Sequence, residues 1–208
     1  EGHLMLKSAR IAVLVSGGGT NLQALIDASK RGELPAGELA LVLSSNDKAY
    51  ALTRAAANNI PTCVVKRKEF PNQIAYEDAV KAILEEKGIE LVVLAGFMTI
   101  LSEYFTSAYP KRILNVHPSL IPSFCGTGYY GLRVHEAALQ YGVKVTGATV
   151  HYVNEIPDGG EILLQKAVDV LEGDTAETLQ KRVMEQAEWV LLPQAVELVA
   201  DRLQREKG

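Results

Sequence analysis

Two textures alternate along the chain: short unbroken apolar runs, and longer stretches in which apolar residues recur at helical spacing. Ile11–Val15, Leu39–Leu43 and Leu91–Ala95 are continuous apolar runs, the form taken by strands buried on both faces of a parallel sheet. A further short strand is expected at Thr62–Val65, after Pro61. Helices are expected from about Asn21, where Leu22, Leu25 and Ile26 share a face, from Ala49 to Asn58, and from Tyr76 to Glu86. Lys30-Arg31-Gly32 and Lys87-Gly88 supply stops. Another helix, Ser102 to about Tyr109, leads into a strand ending near His117, and a short one covers Val134–Gln140. Val145–Val153 alternates as a strand and Glu161–Val168 follows as its antiparallel partner. Thr175–Arg205 is helical, with Thr175 and Thr178 as candidate N-caps and Pro193 expected to kink or restart it. The pattern predicts an α/β fold: a doubly wound, mostly parallel sheet with helices on both faces and an antiparallel addition in the C-terminal half. With no repeat or linker, residues 1–208 read as one domain.

Candidate chemistry gathers where strands end. Asn115 and His117 are two apart in a strand, so they share a face, and Pro118 stops the strand directly after them. That leaves an amide and an imidazole at the carboxyl edge, where open parallel sheets bind ligands. Asp158, in Ile-Pro-Asp-Gly-Gly, leaves a different strand. A carboxylate beside an imidazole raises its pKa and holds one tautomer, which makes an acid/base pair; an ordinary turn aspartate before two glycines is the alternative. Ser16-Gly-Gly-Gly-Thr20 between a strand and a helix presents unpaired amides to a phosphate or carboxylate, although the same glycines serve a tight turn equally well. Residues 118–134, with Phe124, Tyr129 and Tyr130 among prolines and glycines, form a long loop of the kind that is usually functional.

Composition narrows the partners. Twenty-one Lys and Arg against 25 Asp and Glu give a net charge of -4, which does not favour nucleic acid or an acidic membrane, so a small molecule is expected. Cys63 and Cys125 have no metal-ligand spacing and read as unpaired thiols in a cytoplasmic protein. No apolar run is long enough to span a bilayer. Glu1 to about Lys7 reads as a remnant of expression without functional weight. His3 and His135 are expected at the surface, and His151 as a structural group.

Five ordered motifs carry a resemblance: Ser-Gly-Gly-Gly-Thr-Asn-Leu-Gln (16 to 23), Leu-Ala-Gly-Phe-Met (94 to 98), Asn-Val-His-Pro-Ser-Leu-Ile-Pro (115 to 122), Thr-Val-His-Tyr-Val (149 to 153) and Asp-Gly-Gly (158 to 160). Together, from about Ile11 to Pro193, they closely resemble the glycinamide ribonucleotide formyltransferase family, with its Rossmann-related fold. The resemblance implies formyl transfer from 10-formyltetrahydrofolate, as co-substrate and without metal, to the amine of a phosphoribosyl glycinamide. It implies that Asn115 and protonated His117 donate to a tetrahedral oxyanion while Asp158 stabilises the imidazolium and helps relay the amine proton. It places substrate binding at Gly19, Thr20, Asn21, Glu185 and Glu188, the last accepting from ribose hydroxyls. It places the folate at Gln73, at Met98, Thr99, Ile100 and Leu101, at Arg112, and at Asn115 and Asn154, Glu155, Ile156, Pro157 and Asp158.

Two departures stand out. Many relatives carry arginine at the position of Gln73, which leaves a charge contact to the cofactor open, and Ser123–Gly131 differs from the family's shorter, proline-containing loop. The implied partners are small molecules, with no nucleic acid or membrane, and the chain is expected as a monomer or homodimer. A formyltetrahydrofolate hydrolase and a non-catalytic phosphate- or nucleotide-binding module remain as rival readings.

Overall fold

The computed structural model describes residues 7–208. The expected remnant, apart from Lys7, and His3 within it lie outside the described residues. The chain forms two compact units, one made of the residues up to Ile100 together with Val196–Gly208, the other of Leu101–Ala195.

The first unit carries β1 (Ala9–Val15), α1 (Thr20–Lys30), β2 (Gly37–Ser44), α2 (Tyr50–Ala57), β3 (Thr62–Val64), α3 (Gln73–Glu86) and β4 (Leu91–Leu94). Its strands lie in the order β3-β2-β1-β4 and every pairing is parallel. The apolar runs behave as their texture requires, since Ile11, Leu14, Leu41, Leu43 and Leu91 are fully buried, as are Leu22, Leu25, Tyr76 and Leu84 of the helices. Each such side chain contributes about 1.5–3 kcal/mol relative to exposure, so these runs anchor the unit. Helix α3 begins three residues earlier than the apolar spacing indicates, because the Asn72 side chain caps it by accepting from the Ala75 amide at 2.8 Å.

The second unit carries α4 (Glu103–Thr106), β5 (Ile113–His117), α5 (Leu132–Tyr141), β6 (Val145–Tyr152), β7 (Ile162–Asp169) and α6 (Ala176–Val183). The strands lie in the order β5-β6-β7, antiparallel throughout, which is the addition the alternating pattern predicted. Helix α4 is shorter than expected. After one α turn, the amides of Ala108 and Tyr109 bond back only three residues, and Pro110 disfavours helix at the residue before it. Thr175 and Thr178 cap α6 reciprocally.

A last helix, α7 (Trp189–Arg205), continues the chain from α6 through a π-helical turn, Met184–Glu188. Pro193 lies inside α7, and its ring crowds the carbonyl four residues back, that of Trp189, directly after the π-helical turn. Among the described residues, no helix is long and apolar enough to cross a membrane.

Candidate active site

In the second unit, the register of β5 against β6 builds the site. Leu114 and Val116 face the core, and the two-residue period turns Asn115 and His117 to the other side. The antiparallel pairing sets Asn115 opposite His151 and His117 opposite Thr149. The loop after β6 then returns Asp158 to the same place. Its carboxylate Oδ2 lies 3.6 Å from His117 Nδ1, and Oδ1 lies 3.7 Å from His151 Nε2. The amide, the imidazole and the carboxylate singled out in the sequence therefore meet. His151, expected as structural, joins them as a second imidazole; its signal in the sequence was its place on β6, legible only once β6 is paired with β5.

Backbone carbonyls decide which ring nitrogen carries a proton, since a carbonyl can only accept. His151 Nδ1 lies 2.9 Å from the Tyr152 carbonyl, so Nδ1 carries a proton, and Nε2 lies 3.3 Å from Asn115 Nδ2. His117 Nε2 donates to the Phe124 carbonyl at 2.8 Å, which leaves Nδ1 as the nitrogen that faces Asp158. Asp158 also accepts from the Gly126 amide at 2.9 Å. Loop 123–126, where the sequence departs from the family pattern, is thus tied to both members of the acid/base pair.

Asp158 sits at φ 55, a left-handed conformation that aspartate tolerates better than most residues. The glycines after it are sterically required. A Cβ on Gly160 would collide with the Tyr152 carbonyl, and one on Gly159 with the Ile156 side chain. Burial pushes the Asp158 carboxyl up, but His151, the Gly126 amide and His117 together outweigh it and hold the group below the usual carboxylate value. His135, expected at the surface, is instead 1% exposed in the first turn of α5. Burial first, and the nearby His117 second, lower its pKa to about 4, so it is neutral at physiological pH.

In the first unit, the glycine loop joins β1 to α1 as the sequence predicted. Gly19 is the N-cap at φ 77, and a Cβ there would lie 2.6 Å from that of Ala51. Thr20 and Asn21 begin α1, whose first amides have no intrahelical acceptor by the geometry of any helix start. Arg54, missed in the sequence, lies beside this loop, its Nε donating to the Gly18 carbonyl at 2.8 Å and its guanidinium 4.9 Å over the Tyr50 ring. Ser16 Oγ lies 2.5 Å from Ser45 Oγ and accepts from the Met98 amide at 2.9 Å, tying together the loops after β1, β2 and β4. In the last of these, Met98 and Ile100 are exposed at 62% and 76%, so neither is core, and Thr99 is half-buried between them. The Gln73 side chain donates to the Ile100 carbonyl at 3.0 Å.

The other expected positions fall in the second unit. Leu101 is buried and Arg112 stacks 5.5 Å over Tyr109. Asn154 Oδ1 accepts from the Ile156 amide, which shapes a turn carrying Glu155, Ile156 and Pro157 exposed. Glu188 is buried in the π turn, whereas Glu185 is exposed and lies 3.9 Å from Lys181.

The "Formyl transferase" family model matches residues 9–196. The trifunctional purine biosynthetic protein adenosine-3 of Homo sapiens is 45% identical over 194 residues, 93% of this chain. The chain spans 18% of that relative's length. Phosphoribosylglycinamide formyltransferase of Haemophilus influenzae is 44% identical over 177 residues, covering 85% of this chain and 81% of the relative. The crystal structure of glycinamide ribonucleotide transformylase 1 from Symbiobacterium toebii superposes with a TM-score of 0.87 at 42% identity, covering 94% of this chain and 89% of that one. The chain belongs to the formyl transferase family.

Proposed function

We propose that this chain transfers a formyl group from 10-formyltetrahydrofolate to the amine of N1-(5-phosphoribosyl)glycinamide, a step of de novo purine biosynthesis, as a single formyl transferase domain. The observation that carries the reading is the meeting of Asn115, His117 and Asp158 at one point of the second unit. The names of the relatives at 44% and 42% identity support the choice of acceptor.

The folate, when bound, supplies the formyl carbon, and the chain supplies the rest. As the amine attacks, negative charge grows on the formyl oxygen, and the Asn115 amide and a proton on His117 Nδ1 are the donors that stabilise it. Asp158 supports the protonated imidazole by facing Nδ1 and takes the amine proton by way of water; the tetrahedral centre then collapses, the bond from the formyl carbon to the folate nitrogen breaks, and that nitrogen leaves carrying the proton. His151 orients the Asn115 amide, its Nε2 lying 3.3 Å from Asn115 Nδ2. Gly19, Thr20 and Asn21 hold the phosphate at the start of α1, and Glu185 and Glu188 take the ribose hydroxyls. By the resemblance, Met98, Thr99, Ile100 and Leu101 are folate residues, as are Asn154–Asp158, Gln73 and Arg112. A cytoplasmic setting belongs to the same reading, in keeping with free thiols at Cys63 and Cys125.

A spectrophotometric assay of formyl release decides the matter. Release that requires the amine substrate is the expected result. Release to water alone makes the chain a hydrolase, and no release with either leaves a binding module.

A further inference from the structure

Within the second unit, the loop that ties the acid/base pair together is held in a conformation its own sequence disfavours. Phe124, whose carbonyl accepts from His117 Nε2 at 2.8 Å, sits at φ 48, in the left-handed region. There the Cβ of an L-residue crowds the following carbonyl, which disfavours the conformation by roughly 5- to 30-fold, and a bulky side chain is an outlier. Asp158, at φ 55, has the short polar side chain that region tolerates; Phe124 does not. A residue keeps such a backbone only where its surroundings over-determine it.

Two aromatic rings supply those surroundings. The Tyr129 ring lies 6.5 Å from that of Phe124, and the Tyr141 ring meets it edge-on at 6.1 Å. Aromatic pairs attract at these distances, each by a factor of roughly 2 to 10, so the two together are of the size of the backbone preference they oppose. Tyr129 comes from the stretch 123–131 that departs from the family pattern, and Tyr141 is the last residue of α5. Tyr141 is 82% exposed, so filling the core does not account for it. What the rings protect is the bond from His117. While the Phe124 carbonyl faces Nε2, that nitrogen donates, and Nδ1 is left for Asp158, 3.6 Å away. Relaxation of Phe124 to negative φ turns the carbonyl aside, and the neutral ring is then free to carry its proton on either nitrogen.

Resting on the catalytic role given to His117 above, we propose that Phe124 and Tyr141 are positioning residues: the contact between their rings holds the Phe124 carbonyl on His117 Nε2 and so keeps Nδ1 as the nitrogen that serves the reaction. The test uses the full chain labelled with nitrogen-15 histidine, unaltered and as Tyr141→Leu, Tyr141→Phe and Phe124→Leu, with His117→Gln to assign the signal. At about pH 9, where an ordinary imidazole is neutral, the two ring-nitrogen shifts report which of them holds the proton. The unaltered chain and Tyr141→Phe are expected to show it on Nε2. In Tyr141→Leu and Phe124→Leu the share on Nδ1 rises by roughly 2- to 10-fold, and kcat falls by a similar factor while KM for either substrate stays within about twofold. A tautomer unmoved in both leucine variants, a shift that appears equally in Tyr141→Phe, or a change in KM with kcat intact overturns the proposal. Tyr141→Leu alters an exposed side chain, so it decides the question even where Phe124→Leu does not fold. The tautomer is read without turnover: a shift in a chain that transfers no formyl group would sink the proposed reaction and leave this assignment standing, and transfer with an unmoved tautomer would do the reverse.

Discussion

Replacing Asp158 by asparagine tests the proposed chemistry with little change in shape. The amide oxygen of asparagine can still accept from the Gly126 amide, now 2.9 Å from Asp158, so the loop keeps its tie while the charge is lost. In the native site, that charge lies 3.6 Å from His117 Nδ1, with the two side chains only 5% and 14% exposed. At the effective dielectric constant of about 20 that suits such sites, opposite charges at this distance attract by roughly 4–5 kcal/mol. At about 1.4 kcal/mol per tenfold, losing this support for a protonated His117 lowers kcat/KM by on the order of 10³-fold near pH 7. Steady-state transfer with the folate donor and the ribonucleotide measures it, and circular dichroism melting confirms that the variant is folded. A folded Asp158→Asn variant within tenfold of the parent would refute the pairing of Asp158 with His117 as the source of the working proton.

Three further outcomes follow from the same structure. His135 is expected to erode stability in acid: its folded pKa of about 4 lies below the usual 6.5, so the unfolded chain binds more protons, and stability present above pH 6.5 falls progressively toward pH 4. His135→Gln should flatten that slope, which amounts to about 3 kcal/mol, in urea titrations run across this range; an unchanged slope would mean another group sets it. Asp174 accepts from Arg182 at 2.6 and 2.7 Å and from the Leu171 amide at 2.7 Å, and Arg182 above all holds its carboxyl well below the ordinary value. The pair therefore contributes fully above about pH 4 and loses its effect progressively as the pH falls below that toward the depressed folded value, so Asp174→Asn should lower Tm at pH 7 by several degrees, a difference that begins to shrink only below about pH 4. Gly19→Ala forces a Cβ to within 2.6 Å of Ala51 at a φ of 77, and should raise KM for the ribonucleotide far more than KM for the folate; equal effects on both would count against a phosphate site at this loop.

Much of this protein was determined by local pattern alone. Unbroken apolar runs such as Leu39–Leu43 have no polar face to expose, so they had to be strands buried on both sides, and helical spacing marked α1 and α3. A two-residue period put Asn115 and His117 on one face, and Pro118 ended their strand. Glycines 17 to 19 had to make a turn between β1 and α1.

Tertiary structure decided everything that depends on which distant segments are neighbours. Only the register of β5 against β6, a pairing across 36 residues, converts His151 from a strand residue into the partner of Asn115. Only packing of α5 buries His135, expected at the surface, and strips it of its proton. The tautomer of His117 rests on a carbonyl seven residues on, and the availability of Gln73 on what Arg67, Glu77 and Ile100 take from it. Side-chain periodicity fixes the face a residue occupies, because that is backbone geometry; the occupant of the space opposite is fixed by the lowest free energy of the whole fold, to which every segment contributes at once.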